Sequence, residues 1–228
     1  MTESVKLFGR IGSPNVLRVA LALEEKQIPY ELIENIMIDE FLKNSRWGLM
    51  PCIEYQGNYI SESLAILEFL EDQFPDKPLL PDSIVEKAQA RSWMYRVALT
   101  VLDTRRKIWF GPDKEQAKQE LKEQLEDINK ELEGKTFLVA NTYTLADLNL
   151  SLFYVALDEF KNVLGTDLDQ LPNLKKHKEA ITSRPSFKKL DPSESFAGFI
   201  KGMADEEIRA KIVASKQERI QKWKEQRS

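Results

Sequence analysis

Lys6-Leu7-Phe8-Gly9-Arg10-Ile11-Gly12-Ser13-Pro14-Asn15-Val16-Leu17-Arg18-Val19 is the stretch on which the reading of the chain turns. Val5 to Phe8 is a short apolar run containing residue types that strands favour, and it ends in Gly9-Arg10-Ile11-Gly12. Val16, Leu17, Ala20, Leu21 and Leu23 then recur at helical spacing up to Glu24-Glu25-Lys26. Serine is a favoured N-cap and proline a favoured first helical residue, so Ser13-Pro14 predicts a helix start. The order is strand, glycine loop, hydroxyl at a helix N-terminus. Free N–H groups and the positive end of the helix dipole meet there and stabilise an anion, such as a thiolate or carboxylate. Ser13 is therefore either a capping residue alone or a hydroxyl placed for chemistry.

Working outward, 228 residues suit one large domain or two small ones. An apolar fraction of 42% with 31% charged residues describes a globular chain with a well-charged surface. A net charge of −4 without a broad basic excess gives no reason to expect a nucleic-acid partner. Cys52 is the single cysteine, which excludes an internal disulfide and fits a reducing compartment. One cysteine and one histidine, His177, are too few of the usual ligands for a metal site. Met1-Thr2-Glu3-Ser4 runs into a strand at once, leaving no room for a signal peptide. No apolar run approaches the roughly 20 residues a bilayer requires. A cytoplasmic protein with no membrane partner is expected.

After the first helix, Ile28 to Ile33 reads as a second strand. Asp39 to Asn44 leads to Ser45-Arg46-Trp47-Gly48-Leu49-Met50-Pro51, followed by a hairpin of Cys52–Tyr55 and Tyr59-Ile60 around Gln56-Gly57-Asn58. Ser61-Glu62-Ser63 opens another helix, with Leu64, Ile66, Leu67 and Leu70 on its apolar face. Glu62 and Ser63 are either helix-start chemistry or ligand-binding groups at an N-terminus. Three prolines within Pro75–Pro81 mark an interdomain linker. Beyond it the pattern is helical. One long helix is expected over Ser83–Ile108, a charged one over Asp113–Glu133, a largely apolar one over Leu148–Phe160, and another between Leu171 and Ser186. Thr144-Leu145-Ala146-Asp147 has the form of a capping box, with Tyr143 and Leu148 placed as a hydrophobic staple. His177 lies in a Lys-Lys-His-Lys run and reads as exposed and inert, and Cys52 as a small buried hydrophobe. From Lys201 onward, eight Lys/Arg stand against five Asp/Glu, either an exposed or frayed helical extension or a basic docking arm.

This arrangement resembles a cytosolic glutathione transferase: an α/β thioredoxin-like N-terminal domain with a mixed sheet over 1–76, an all-α domain over 83–200, and an extension over 201–228. Ser13-Pro14-Asn15-Val16-Leu17-Arg18-Val19 looks like the serine-headed motif of the phi class, and more distantly theta. Met50-Pro51 stands where the family has its cis-proline, Glu62-Ser63-Leu64-Ala65-Ile66 matches its acidic-Ser-x-Ala-Ile signature, and Thr144–Asp147 its capping box. The resemblance implies glutathione as co-substrate and a homodimer formed through the helices after Ser63 and Ser83. It makes Ser13 the donor to the glutathione sulfur, with Arg18 adding positive charge unless it is a surface residue. The backbone of Met50, before Pro51, would pair with the cysteinyl unit, while Glu62 and Ser63 would hold the γ-glutamyl amine and carboxylate. The thiolate would attack a small apolar electrophile or act in peroxide reduction. Tyr95, Arg96, Arg105, Arg106, Trp109 and Phe110 are candidates for the electrophile pocket, or for packing and dimer contacts.

The chain departs from the phi pattern at Arg46-Trp47 and Leu49, and in the connection between Leu32 and Phe41, which is shorter. Glu34-Asn35-Ile36-Met37-Ile38-Asp39-Glu40 carries three acids and no His or Lys where that pattern has basic residues for the glycyl carboxylate, leaving Lys43 or Arg46 as substitutes. This departure favours a second reading, a non-catalytic interaction module resembling the N-terminal part of the translation elongation factor 1B gamma subunit.

Overall fold

The computed structural model of the chain describes residues 4–155, 168–192, 198 and 205–227, with the backbone alone at 109 and 110. The chain forms two compact units, Met1–Lys77 with Glu194–Ser228, and Pro78–Ser193.

In the first unit the elements are β1 (Val5–Phe8), α1 (Pro14–Lys26), β2 (Tyr30–Ile33), α2 (Asp39–Asn44), β3 (Cys52–Tyr55), β4 (Asn58–Ser61) and α3 (Ser63–Gln73). The four strands form one mixed sheet in the order β2-β1-β3-β4. β1 runs parallel to β2, from Val5 opposite Tyr30 to Phe8 opposite Ile33, and antiparallel to β3. β3 and β4 form the hairpin, pairing Tyr55 with Asn58, so the turn is the two residues Gln56 and Gly57 and Asn58 already belongs to the strand. Their φ values of 53° and 77° are both positive, as the two-residue turn matching strand twist requires.

Val16 to Leu23 of α1 are buried on every side of the helix, and α1 packs against α3. At its end the Lys26 ammonium, itself buried, bonds Glu71 of α3 at 2.7 Å and the Lys77 carbonyl at 2.9 Å. A buried ammonium is tolerable only with such partners.

The second unit is helical among its described residues: α4 (Ile84–Leu99), α5 (Val101–Phe110), α6 (Lys114–Glu131), α7 (Leu145–Tyr154), a 3-10 turn (Leu168–Gln170), α8 (Pro172–Thr182) and α9 (Pro185–Leu190). The single helix expected over Ser83–Ile108 is two helices. Thr100 interrupts it at φ −113° and ψ −77°, where its hydroxyl bonds back to the Arg96 carbonyl at 2.5 Å, the back-bonding by which threonine bends helices. α6 buries Ala117, Leu121, Leu125 and Ile128 as a single stripe. The final residues of the helix expected to reach Phe160 lie outside the described residues.

The capping box is formed in full: the Ala146 amide donates to Thr144 Oγ1 at 3.2 Å and the Thr144 amide to Asp147 Oδ2 at 2.8 Å. His177 differs from its expectation. It is buried, with Nε2 at 2.9 Å from Asp147 Oδ1 and Nδ1 at 2.6 Å from the Tyr154 hydroxyl. Leu174, His177 and Ile181 are spaced as one buried face of α8, while the flanking lysines point outward. The basic run describes the other faces of that helix.

The tail forms α10 (Glu206–Glu225), which belongs to the first unit and packs on α2.

Candidate functional site

Gly9 sets the approach of α1 to the sheet. Its φ is +148°, and a Cβ there would come within 2.4 Å of Val16 Cγ2, so any side chain would drive strand and helix apart. Four residues on, the Ser13 amide donates to the Arg10 carbonyl at 2.9 Å and the Ser13 carbonyl accepts from Leu17 at 2.9 Å. The Ser13 side chain makes no capping bond, although the residue occupies the N-cap with extended backbone. Its hydroxyl is left at the positive end of a 13-residue helix for something other than the helix.

Arg18, which the sequence left between a surface residue and a contributor to the site's charge, is only 3% exposed. Its Nη1 donates to Ser63 Oγ at 2.6 Å, joining the second turn of α1 to the start of α3. The Ser63 hydroxyl accepts that bond and keeps its own proton to donate. Ser63 is the first residue of α3, where backbone N–H groups converge on an anion. Glu62 before it is exposed and held at φ 74° and ψ 111°, a backbone region that costs a non-glycine residue free energy and recurs at ligand clamps. The Met50–Pro51 peptide bond is cis. Met50 packs on Phe8, Ile36, Phe41, Leu42 and Cys52, the cluster beneath the start of β3.

The cysteine beside this proline is not a nucleophile. Cys52 is fully buried, and burial pushes its thiol up to about 11. Native protein is expected to resist alkylation at pH 8 and to react once unfolded; fast labelling of the native chain would overturn this assignment.

The acids of the 34–40 segment do not gather at the site. Glu40 accepts from the Tyr59 hydroxyl at 2.7 Å and from Lys6 at 3.1 Å, and the Tyr59 bond leads in holding its carboxyl below the ordinary value. Lys43 and Arg46 are exposed, and the Arg46 guanidinium lies 5.2 Å from the Trp47 ring centroid. In the second unit, Arg105 is buried and donates to the Leu152 carbonyl at 2.9 Å; burial lowers its pKa to about 10. Arg106 pairs with Asp103 on its own helix, and Tyr95 and Arg96 are exposed on α4. The side chains of Trp109 and Phe110 lie outside the described residues. Arg219 and Trp223, which no sequence signal brought forward, dock against the Ser45–Gly48 loop. Their spacing of four, continued by Arg227, is the periodicity that marks one face of a helix.

Among the described residues no group of three His, Cys, Asp or Glu side chains is placed to hold a metal ion, and no helix is long and apolar enough to cross a membrane.

Two family models match the chain, the glutathione S-transferase N-terminal domain over residues 7–78 and the glutathione S-transferase C-terminal domain over residues 110–185. Glutathione S-transferase U8 of Arabidopsis thaliana is 32% identical over 213 residues, 88% of this chain and 95% of that protein. A probable glutathione S-transferase, parA, from Nicotiana tabacum is 35% identical over 144 residues, 60% of this chain and 64% of that protein. Among solved structures, a rice glutathione S-transferase in complex with glutathione superposes with a TM-score of 0.78 at 25% identity, covering 88% of this chain and 97% of that one. A Tau class enzyme from mango superposes at 0.77 with 24% identity, covering 90% and 100%, a likeness of fold. These matches support the family and not the phi class in particular. The serine-headed stretch itself describes a helix start with an unused hydroxyl. With a relative 32% identical across 88% of its length, the chain belongs to the glutathione S-transferase family.

Proposed function

We propose that the protein transfers the glutathione thiolate to small apolar electrophiles, with Ser13 as the residue that stabilises the thiolate. The observation that carries this reading is the Ser13 hydroxyl at the N-terminus of α1, unused by the helix it begins. A free thiol titrates near about 8.5, so a fixed donor and a helix dipole raise the thiolate fraction at neutral pH. The sulfur lone pair forms a bond to the electrophilic carbon, and a leaving group departs with its electron pair, or an activated alkene takes up a proton from water. Ser63, with the α3 N-terminus behind it and Arg18 beneath it, binds the γ-glutamyl carboxylate. Glu62 takes the amine, and the backbone of Met50 pairs with the cysteinyl unit. The names of the relatives favour this enzyme over a non-catalytic module akin to the elongation factor subunit.

A homodimer and a cytoplasmic, detoxifying role are part of the same proposal. α4 supports the dimer: Val85, Ala88, Ser92, Tyr95 and Leu99 form an exposed stripe without charge, with Val85 66% and Leu99 68% exposed. A contiguous apolar face of that kind marks an association surface.

Calorimetric titration with glutathione, followed by conjugation of chlorodinitrobenzene, tests the reading. A one-to-one event at millimolar affinity or tighter, with turnover, is expected; no binding overturns it. Ser63→Ala removes a charge-assisted hydrogen bond and is expected to weaken glutathione binding about tenfold or more. An unchanged dissociation constant would take Ser63 out of the site.

A further inference from the structure

α10 is fastened to the first unit by its C-terminal half. Arg219 Nε donates to the Gly48 carbonyl at 2.7 Å, Trp223 Nε1 to the Ser45 carbonyl at 2.7 Å, and Arg227 to that same carbonyl at 2.9 Å. The Gln226 amide reaches Asp39 of α2 at 3.2 Å. Trp223 packs on the cluster that also holds Met50. Gly48 has a φ of +62°, and a Cβ there would meet Trp223 Cβ and Cγ at 2.9 Å each, so glycine is what lets the indole lie against the loop. The docking is thus built from both sides.

Arg219 is only 4% exposed, yet no carboxylate pairs with it among the described residues. One of its five N–H donors is used by a neutral carbonyl. The acids of α2 and the neighbouring Glu218 have partners of their own: Glu218 with Lys222 at 3.1 Å, Asp39 with Gln226, and Glu40 with Tyr59 and Lys6. The charge that does reach Arg219 is a second cation, Arg10, in the loop leading to Ser13; after burial itself, that charge is what lowers its pKa. A guanidinium stays protonated, and a buried cation beside another cation is unfavourable until an anion completes it. Arg219 therefore lies against the loop that leads into Met50, where the charge of Arg10 also acts on it, with donors to spare and no carboxylate partner among the described residues.

Glutathione has a carboxylate at each end, on either side of its thiol. With the thiol at Ser13 and the γ-glutamyl end at Ser63, the other carboxylate falls away from α3. We propose that Arg219, assisted by Arg10, binds the glycyl carboxylate of glutathione, making the C-terminal helix a wall of the glutathione site. The inference rests on the proposed glutathione site at Ser13, Met50 and Ser63. A planar guanidinium fork matches a carboxylate in bidentate fashion, which the exposed Lys43 and the ring-stacked Arg46 are not placed to do. It also supplies the cation that the 34–40 segment lacks: it comes from α10.

The test titrates the full chain calorimetrically with glutathione and with glutathione monoethyl ester, in which only the glycyl carboxylate is neutralised. Wild type is expected to prefer glutathione about tenfold or more. Arg219→Ala should abolish that preference, weakening glutathione about 10- to 100-fold while changing the ester less than about twofold. Arg10→Ala, at an exposed position, should erode the preference partly. Should the alanine variant at 219 not fold, Arg219→Lys, which keeps the charge and loses the fork, is expected to fall between. Equal losses for both ligands would mean that Arg219 only fastens the helix and would overturn the proposal, as would unaltered binding of both. If Ser63→Ala weakens both ligands while the arginine variants weaken neither, the glutathione site stands and the assignment of Arg219 falls. If wild type binds neither ligand, both fall together.

Discussion

Asp147→Ala is expected to destabilise the helical unit by about 3–5 kcal/mol, the range for removing one partner of a buried charged network. The Asp147 carboxylate is wholly buried and accepts four hydrogen bonds: from the Leu138 amide at 2.9 Å, the Thr144 amide at 2.8 Å, the Thr144 hydroxyl at 2.9 Å and His177 Nε2 at 2.9 Å. A carboxylate only accepts, so Nε2 carries the ring proton, and in the neutral imidazole Nδ1 accepts from the Tyr154 hydroxyl. Alanine leaves two buried amides, a hydroxyl and a ring N–H without acceptors at once, each at a desolvation cost of about 1–3 kcal/mol before relaxation. Asp147→Asn should cost less, about 2–3 kcal/mol, because one oxygen remains while its amide N–H₂ confronts donors. Urea unfolding followed by circular dichroism measures both. A loss below about 1 kcal/mol for the alanine variant would show that water re-forms these bonds.

The largest functional effect is expected at Ser13. Ser13→Ala should lower conjugation at pH 7 about 10- to 100-fold, the worth of one hydrogen bond to a charged sulfur, with glutathione affinity nearly unchanged. The pH profile carries the discriminating sign. The hydroxyl favours the thiolate and so lowers the thiol pKa; without it the pKa rises toward about 8.5, and the deficit shrinks as pH climbs past that value. A capping serine predicts something else: a stability loss of about 1 kcal/mol on going to alanine, with the rate unaltered. Because the hydroxyl makes no capping bond, the melting temperature should hold while turnover drops. A full rate in the alanine variant would overturn the role.

Local signals carried the architecture and much less of what lies between segments. The strand before Gly9, the helix start at Ser13-Pro14 and the capping box at Thr144 are written in neighbouring residues, because strand preference, capping and staple chemistry act over a few positions. The helix break at Thr100 was missed because a back-bonded threonine and an ordinary one share the same sequence context. His177 was read from its lysine neighbours, while its environment was set by Asp147, 30 residues away in the chain, and by Tyr154, 23 away. The spacing of Leu174, His177 and Ile181 held the correct signal. Arg18 stood open between a surface residue and a contributor of charge to the site; α1 is buried from Val16 to Leu23 on every side, and the arginine finds its partner 45 residues on. The phi expectation rested on one serine-headed stretch, a local helix-start signal, while the match over the whole chain supports the family alone.

The order in which a ribosome delivers this chain gives the C-terminal helix one more property. Gly48 and Arg219, bonded in the folded protein, are separated by 171 positions. At about 5–20 residues per second, the sheet and its cis-proline loop leave the exit tunnel roughly ten to thirty seconds before the segment that covers them is synthesised. For that interval the cluster of Phe8, Ile36, Phe41, Leu42 and Cys52 lacks the Trp223 ring that packs against it in the finished protein, and the Ser45 carbonyl lacks its indole donor. The nascent first unit completes its own surface only after the entire second unit has been made.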